Sequence, residues 1–462
     1  MTDTTASKRW LALSAASLLA VSLTACSGSG KDENGNKGAD GTAPSPAQQP
    51  KTAAKLEPKK DSVELVFYSA SGDFDNDGFM KMFGNKIKEK FPHVTVKFLP
   101  YNSANLMDKM IAAGQTLDIL YYSTGQTGDL LDYKLQYDIS DLVKGYGFDL
   151  EKLEPTAVDF QRKLAKGGLY GLPVFNNTLT LFYNKDLFDK FGVPYPKDGL
   201  TWDGLYDIAK TMSRVDGGEQ YHGLTLSMSH SMLLNQLSLP YIDATTQKVN
   251  FDSDTFKKLF DTWTSMYQIP GNEVDKKTVD FGSQVNMFDK DKKAAMFMGL
   301  SALGPSRFKE AVNWDVASYP VFADKPGVGP QPYPSYFYVT NTSKYKEQAF
   351  EVIAYLASEE FQLHLAKNGL LPALKNRDEA MKQYGADIPY LKTKNASALM
   401  PKQFAPLSMT TKEQLLANTK AYNSLLPAYN AVVLKEKDKN TALREAEEQG
   451  NKDIAAFLET KK

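Results

Sequence analysis

The sequence predicts an α/β fold, and three observations carry that prediction. Short β-branched and aromatic runs at Val63–Tyr68, His93–Phe98 and Leu117–Tyr122 read as strands. Helical patterns of apolar residues lie between them. That alternation is the signature of βαβ units with a parallel sheet, in which ligands collect beyond the carboxyl ends of the strands.

The elements follow in order. After the first strand, Phe79, Phe83, Ile87 and Phe91 recur every four residues with Lys86, Lys88 and Glu89 between them, and Pro92 stops the helix. Leu106–Ala113 reads as a second helix. The strand ends therefore fall at Ser69–Asp77, Pro100–Ser103 and Tyr122–Gln126. Further on, Leu179–Tyr183 is a strand, and Thr201 is placed to cap a helix carrying Leu205, Ile208, Ala209 and Met212. Phe256, Leu259, Phe260 and Trp263 line another helical face. Ala294–Met298 is a strand ending at Gly299. The last third is mainly helical, over Tyr345–Ser358, Glu359–Lys367, Lys412–Leu434 and Ala442–Leu458.

Composition narrows the function classes. The chain has 462 residues, 42% of them hydrophobic, enough for a large core in two or three domains. Its 54 basic and 55 acidic side chains leave a formal net charge of −1, without the positive field of a nucleic-acid binder. Cys26 is the only cysteine, so stability must come from packing and not from disulfides.

The first 60 residues carry addressing information. Lys8 and Arg9 precede an apolar stretch from Trp10 to Leu23 and the run Leu23-Thr24-Ala25-Cys26. A basic region, a short apolar core and a small-residue cut site make a secretory signal over 1–25. The cysteine at the cut resembles the lipobox of bacterial lipoproteins, in which a diacylglycerol on sulfur anchors the mature N-terminus. The expectation is a chain lipidated at Cys26 and held on the extracellular face of a cell membrane, as in Gram-positive lipoproteins. From Ser27 to Lys60 the composition is polar, with Pro44, Pro46, Pro50 and Pro58, and predicts a disordered tether with a reach of roughly 30 Å.

Several segments together resemble one family. Gly168-Leu-Tyr-Gly-Leu-Pro-Val174 precedes Leu181-Phe-Tyr-Asn-Lys-Asp-Leu-Phe188, followed by Phe191-Gly-Val-Pro and Thr201-Trp-Asp-Gly-Leu205. Lys293-Ala-Ala-Met-Phe-Met-Gly299 and the run Ala349–Gln362 continue the pattern. This resembles the extracellular solute-binding proteins of ABC importers, in the carbohydrate-binding group typified by maltose-binding protein. The resemblance implies a two-lobed periplasmic-binding-protein-like fold with a hinge of several crossing segments, near 175–177, 318–321 and 370–373. Lobe 1 would comprise 61–175 and 320–372, and lobe 2 would comprise 176–319 and 373–462. It further implies a monomer that closes over a carbohydrate, docks on permease subunits, and needs no cofactor.

A sugar site needs aromatic platforms and polar side chains that both donate and accept. The loop after the first strand offers Asp73, Phe74, Asp75 and Asn76; the second strand leads to Tyr101 and Asn102, the third to Tyr122 and Ser123. By the resemblance, Asn176 and Asn177 sit at the first crossover, and His230 and Ser231 on a cleft-facing segment of lobe 2. Gly299 and Ser301 end a strand, and Tyr333 and Tyr336 belong to the returning segment. Core packing competes for several of these: Phe67, Phe175 and alternate tyrosines of 336–338 suit an interior, and Trp202 and Trp263 lie on helical faces. Relatives often carry a tryptophan just after the glycine matching Gly299; here Leu300 and Leu303 flank it.

Two rival chemistries compete with this reading. Asp73, Asp75, Asp77 and Gly78 match the opening half of a calcium loop, but the twelfth position is Gly84 and no glutamate. Paired carboxylates such as Asp73 and Asp75 could serve an anchored glycoside hydrolase, yet no second acid, nucleophile elbow or zinc motif accompanies them. A tethered sensor or adhesin on the same fold is a third class. The expectation is a binding protein and not an enzyme.

Overall fold

A computed structural model describes residues 55–309, 311–409 and 411–460. The expected signal segment, Cys26 and the tether up to residue 54 lie outside the described residues. Leu56 to Lys60, placed in the tether by composition, lie against the folded body. The Leu56 N–H donates to the Gly145 carbonyl at 2.9 Å, the Lys59 N–H donates to Glu351 at 2.9 Å, and the Lys59 ammonium pairs with Glu347 at 3.2 Å.

Two separate sheets organise the described chain. The first contains β1 (Val63–Ser69), β2 (Val94–Leu99), β3 (Ile119–Ser123), β4 (Gly171–Asn176), β10 (Ser335–Val339) and β11 (Leu371–Pro372), in the order β11-β4-β10-β3-β1-β2. The second contains β5 (Leu179–Asn184), β6 (Arg214–Asp216), β7 (Glu219–Leu226), β8 (Ala294–Leu300) and β9 (Trp314–Ala317), in the order β6-β7-β8-β5-β9. The chain leaves the first sheet at Asn176, builds the whole second sheet, and returns to insert β10 between β3 and β4. This is the two-lobed α/β architecture expected from the sequence.

The parallel sheet is only part of the story. β1 runs parallel to β2 and to β3, joined by helical crossovers as the βαβ pattern requires. β10 is antiparallel to both β3 and β4, because it arrives from the other lobe and not through a crossover of its own. Its Ser335-Tyr-Phe-Tyr-Val sequence is buried throughout, which hides the alternation that would have marked a half-exposed strand.

Each lobe closes an aromatic core. In the first, Phe83 is ringed by Phe79, Phe175, Phe337 and Phe361 at centroid distances of 5.2, 6.2, 5.5 and 5.9 Å. In the second, Phe182 meets Phe308 at 4.9 Å and Trp314 at 5.5 Å. Burying each such ring stabilises the fold by roughly 1.5–3 kcal/mol. Phe67, Phe175, Trp202 and Trp263 are all buried, as an interior reading of them predicts.

Local signals set the helix starts. Thr201 caps Trp202–Met212 by accepting from the Gly204 N–H at 3.1 Å. The helix expected from Phe79 to Phe91 is continuous from Asn76 to Lys90 and contains a π-helical turn at Met80–Gly84. The long helix Lys412–Val433 begins with a capping box between Thr411 and Gln414. Its first turn belongs to one core and its remainder to the other. Leu415 packs with Val66, Tyr68, Leu407 and Met409 beside the first sheet, whereas Ala417, Ala421, Leu425 and Tyr429 join the second-sheet core. Leu407, Met409 and Leu415, within the 373–462 segment expected in the second lobe, pack beside the first sheet.

Candidate ligand-binding cleft

The junction between the two sheets collects polar and ring groups from several segments of both lobes. On the first-lobe side, the Asp73 carboxylate accepts from the Ser71 hydroxyl at 2.6 Å and from the Tyr121 hydroxyl at 2.8 Å. Tyr121 reaches it from β3. Burial and the neighbouring Asp73 charge push the Tyr121 phenol well above its usual range, so it stays a donor at neutral pH.

Tyr333 occupies the returning segment. Its hydroxyl accepts from Ser123 at 3.0 Å, and its backbone exchanges two hydrogen bonds with Asn177, at 3.0 and 3.2 Å. Gly125 gives the phenol room, since a Cβ there would stand 2.8 Å from the Tyr333 oxygen.

Asn177 is the polar node of the first crossover. Its Oδ1 accepts from the Ser301 hydroxyl at 2.6 Å, the Thr178 N–H at 3.1 Å and the Ala302 N–H at 3.2 Å. The crossover thus locks to the end of β8. Three donors saturate that oxygen, leaving the amide nitrogen of Asn177 as its hydrogen-bonding resource for a ligand.

His230 enters from the second lobe on the helix Met228–Leu233. Its Nδ1 shares a hydrogen bond with the Ser227 hydroxyl at 2.6 Å. Its ring lies 6.3 Å from that of Tyr333 and 5.9 Å from that of Phe281. Burial lowers its pKa to about 4 despite the opposing pull of Asp73, so the imidazole is neutral at pH 7. The Asp73 charge acts on Tyr333 as well as on His230, which places the first-lobe loop within electrostatic reach of both.

The structure thus links Ser123, Tyr333, Asn177 and Ser301 by hydrogen bonds, with the His230 ring beside Tyr333 and the Asp73 charge within electrostatic reach. Tyr101 stands on the first-lobe side, half exposed beyond β2. Several expected contacts go elsewhere. Tyr122 and Tyr336 are core residues at 1% and 0% exposure; Tyr122 packs on Tyr68, and the Tyr336 hydroxyl donates to the Ala157 carbonyl at 3.0 Å. Both point to the opposite face of the sheet from Tyr121, because side chains alternate along a strand. Asn102 folds onto its own turn, accepting from the Ala104 and Asn105 N–H groups. Phe74 packs on Phe83 and Tyr121. Asp75 caps the helix that starts at Asn76, accepting from the Gly78 N–H at 2.7 Å. Asn176 is buried in β4, its side chain accepting from the Asn177 N–H. Ser231 is wholly buried, and Gly299 lies inside β8 opposite Thr180 with the Phe297 ring over its α-carbon.

The calcium alternative meets the same geometry. Asp75 is spent on the helix cap and Asp77 lies within the helix. Among the described residues, no cluster of three or more His, Cys, Asp or Glu could hold a metal ion.

Two participants escaped the sequence. Tyr121 reads as an ordinary strand residue until its partner Asp73 is seen. Phe281 opens the helix Phe281–Asp289 behind its cap Asp280, and nothing in the pattern marks it as a cleft residue. Only its 39% exposure beside His230 does so.

This chain belongs to the bacterial extracellular solute-binding protein family, whose model matches residues 75–363. A chain of Brucella abortus (strain 2308), named as a binding protein, is 26% identical over 347 residues, covering 68% of this chain and 77% of that one. The maltodextrin-binding protein MdxE of Bacillus subtilis (strain 168) is 29% identical over 180 residues, which is 39% of this chain and 35% of the relative. Among solved structures, an ABC substrate-binding protein of Listeria monocytogenes in complex with cycloalternan superposes with a TM-score of 0.67. That match is 19% identical and covers 86% of this chain and 100% of the other. It shows the shared two-lobed fold.

Proposed function

We propose that this protein is a lipid-anchored receptor that captures a carbohydrate, an oligosaccharide above all, outside the cell and delivers it to the permease of an ABC importer. The observation that carries this reading is the network between the sheets of a solute-binding fold. Hydroxyls, amides, a neutral imidazole and ring faces meet there, which is the chemistry that matches sugar hydroxyls and pyranose faces. The sugars in the names of similar proteins, maltodextrin and cycloalternan, agree with it.

In this reading the lobes are 61–175 with 320–372 and 176–319 with 373–462, adjusted for the shared first turn of Lys412–Val433. They close about crossings near 175–177, 318–321 and 370–373. A ligand stabilises the closed form only through contacts that the open form lacks. The protein does no covalent chemistry, works as a monomer, and is held to the membrane through a lipid on Cys26.

The test is thermal unfolding of the protein against maltose, maltotetraose, a cyclodextrin and mannitol. A ligand present at a hundredfold excess over its dissociation constant adds about 2.7 kcal/mol of stability, seen as a raised midpoint. Chromatography of the same mixtures must show the sugar intact. Cleaved sugar would overturn the receptor reading in favour of a hydrolase.

A further inference from the structure

We propose that Phe281 is the second lobe's stacking platform for an uncharged sugar ring. This inference rests on the carbohydrate reading above and deepens it by naming a residue that sets specificity.

The strand end that approaches the junction in the second lobe has no aromatic side chain: β8 closes on Leu300, with Ser301 and Leu303 after it. Ser301 is committed to Asn177. Phe281 is one of the few large apolar side chains left substantially exposed, at 39%. It stands at the start of its helix, where the Asp280 side chain accepts from the Ser283 N–H at 3.0 Å and fixes the backbone.

Its neighbour decides the direction. The His230 ring sits between Phe281 and Tyr333, at 5.9 and 6.3 Å, in edge-on geometry to both. Phe281 is thereby part of an aromatic row that runs through His230 to Tyr333, whose backbone pairs with that of Asn177. Tyr333, at the inner end of that row, is bonded to Ser123 and Asn177. A pyranose lying on Phe281 would place its hydroxyls toward those groups. The row is uncharged at neutral pH, because burial keeps His230 neutral. It therefore suits the weakly apolar face of a neutral sugar, and Asp73 disfavours an anionic one.

The experiment is calorimetric titration of maltotetraose, with mannitol as a ringless control, into the full chain and its Phe281→Ala, Phe281→Leu and Phe281→Trp variants. Loss of the ring in Ala or Leu is expected to weaken maltotetraose about tenfold, with Trp within about threefold of the parent. Leu keeps the apolar bulk, so a loss in Leu separates stacking from packing. The ligand-free unfolding midpoint should stay within a degree or two in all three, as befits an exposed side chain. Parent-like affinity in both Ala and Leu overturns this inference and leaves the carbohydrate reading intact. Failure of the unaltered chain to bind maltotetraose, with a flat response across the sugar panel, overturns the carbohydrate reading and this inference with it.

Discussion

The Ser301 hydroxyl donates to Oδ1 of Asn177 at 2.6 Å, joining the end of a second-sheet strand to the first chain crossing between the lobes. The same oxygen receives the N–H groups of Thr178 and Ala302. A single side chain thus holds three donors where the chain first crosses from one sheet to the other. Asn177→Ala leaves buried donors unmatched and is expected to destabilise the fold by about 2 kcal/mol. Denaturant unfolding checks this, and an unchanged midpoint would show that water replaces the side chain.

The His230 imidazole makes stability depend on pH. Its folded pKa is lowered to about 4, below the value near 6.5 of a free histidine. Between those two values the unfolded chain binds a proton that the folded chain refuses. Its contribution is therefore full above pH 6.5 and falls away as the pH drops toward 4, by up to about 3 kcal/mol. His222, lowered in the same direction by burial, adds to the slope. His230→Gln should flatten the pH dependence of the unfolding midpoint between 6.5 and 4; an unaltered slope would mean that the ring is solvated in solution.

Tyr336→Phe separates core from cleft. The hydroxyl is buried and donates to the Ala157 carbonyl, so its loss is expected to cost about 1 kcal/mol. Ligand affinity should not move. A large drop in affinity with unchanged stability would return Tyr336 to the binding site.

Cys26→Ser tests the anchor. If a lipid on this sulfur holds the protein, the variant appears in the soluble fraction or accumulates unprocessed. Full retention in the membrane pellet would assign the attachment to another part of the chain.

Much of the fold was legible because it rests on local, repetitive signals. The four-residue recurrence of Phe79, Phe83 and Ile87 marks a helix wherever the chain goes next, and Thr201 announces its helix by its own chemistry. What stayed hidden depends on distant partners. Ser335–Val339 is buried on both faces and carries no alternation, and its place between β3 and β4 comes from a return passage that no local pattern encodes. The same holds in the cleft. Asp73 and Asn177 lie in loops at strand ends, where the architecture directs attention. Tyr122 was equally well placed by that rule, but one residue along a strand reverses the face, and Tyr121 reaches Asp73 instead. Phe281 is an aromatic at a helix start, and only its position beside His230 gives it meaning.

The helix Lys412–Val433 has a consequence for how the protein comes into being. Leu415 completes the packing beside the first sheet, and Ala421, Leu425 and Tyr429 complete that of the second. Both interiors therefore depend on one helix that follows every strand of either sheet along the chain. Neither core can be fully packed before this helix has been added.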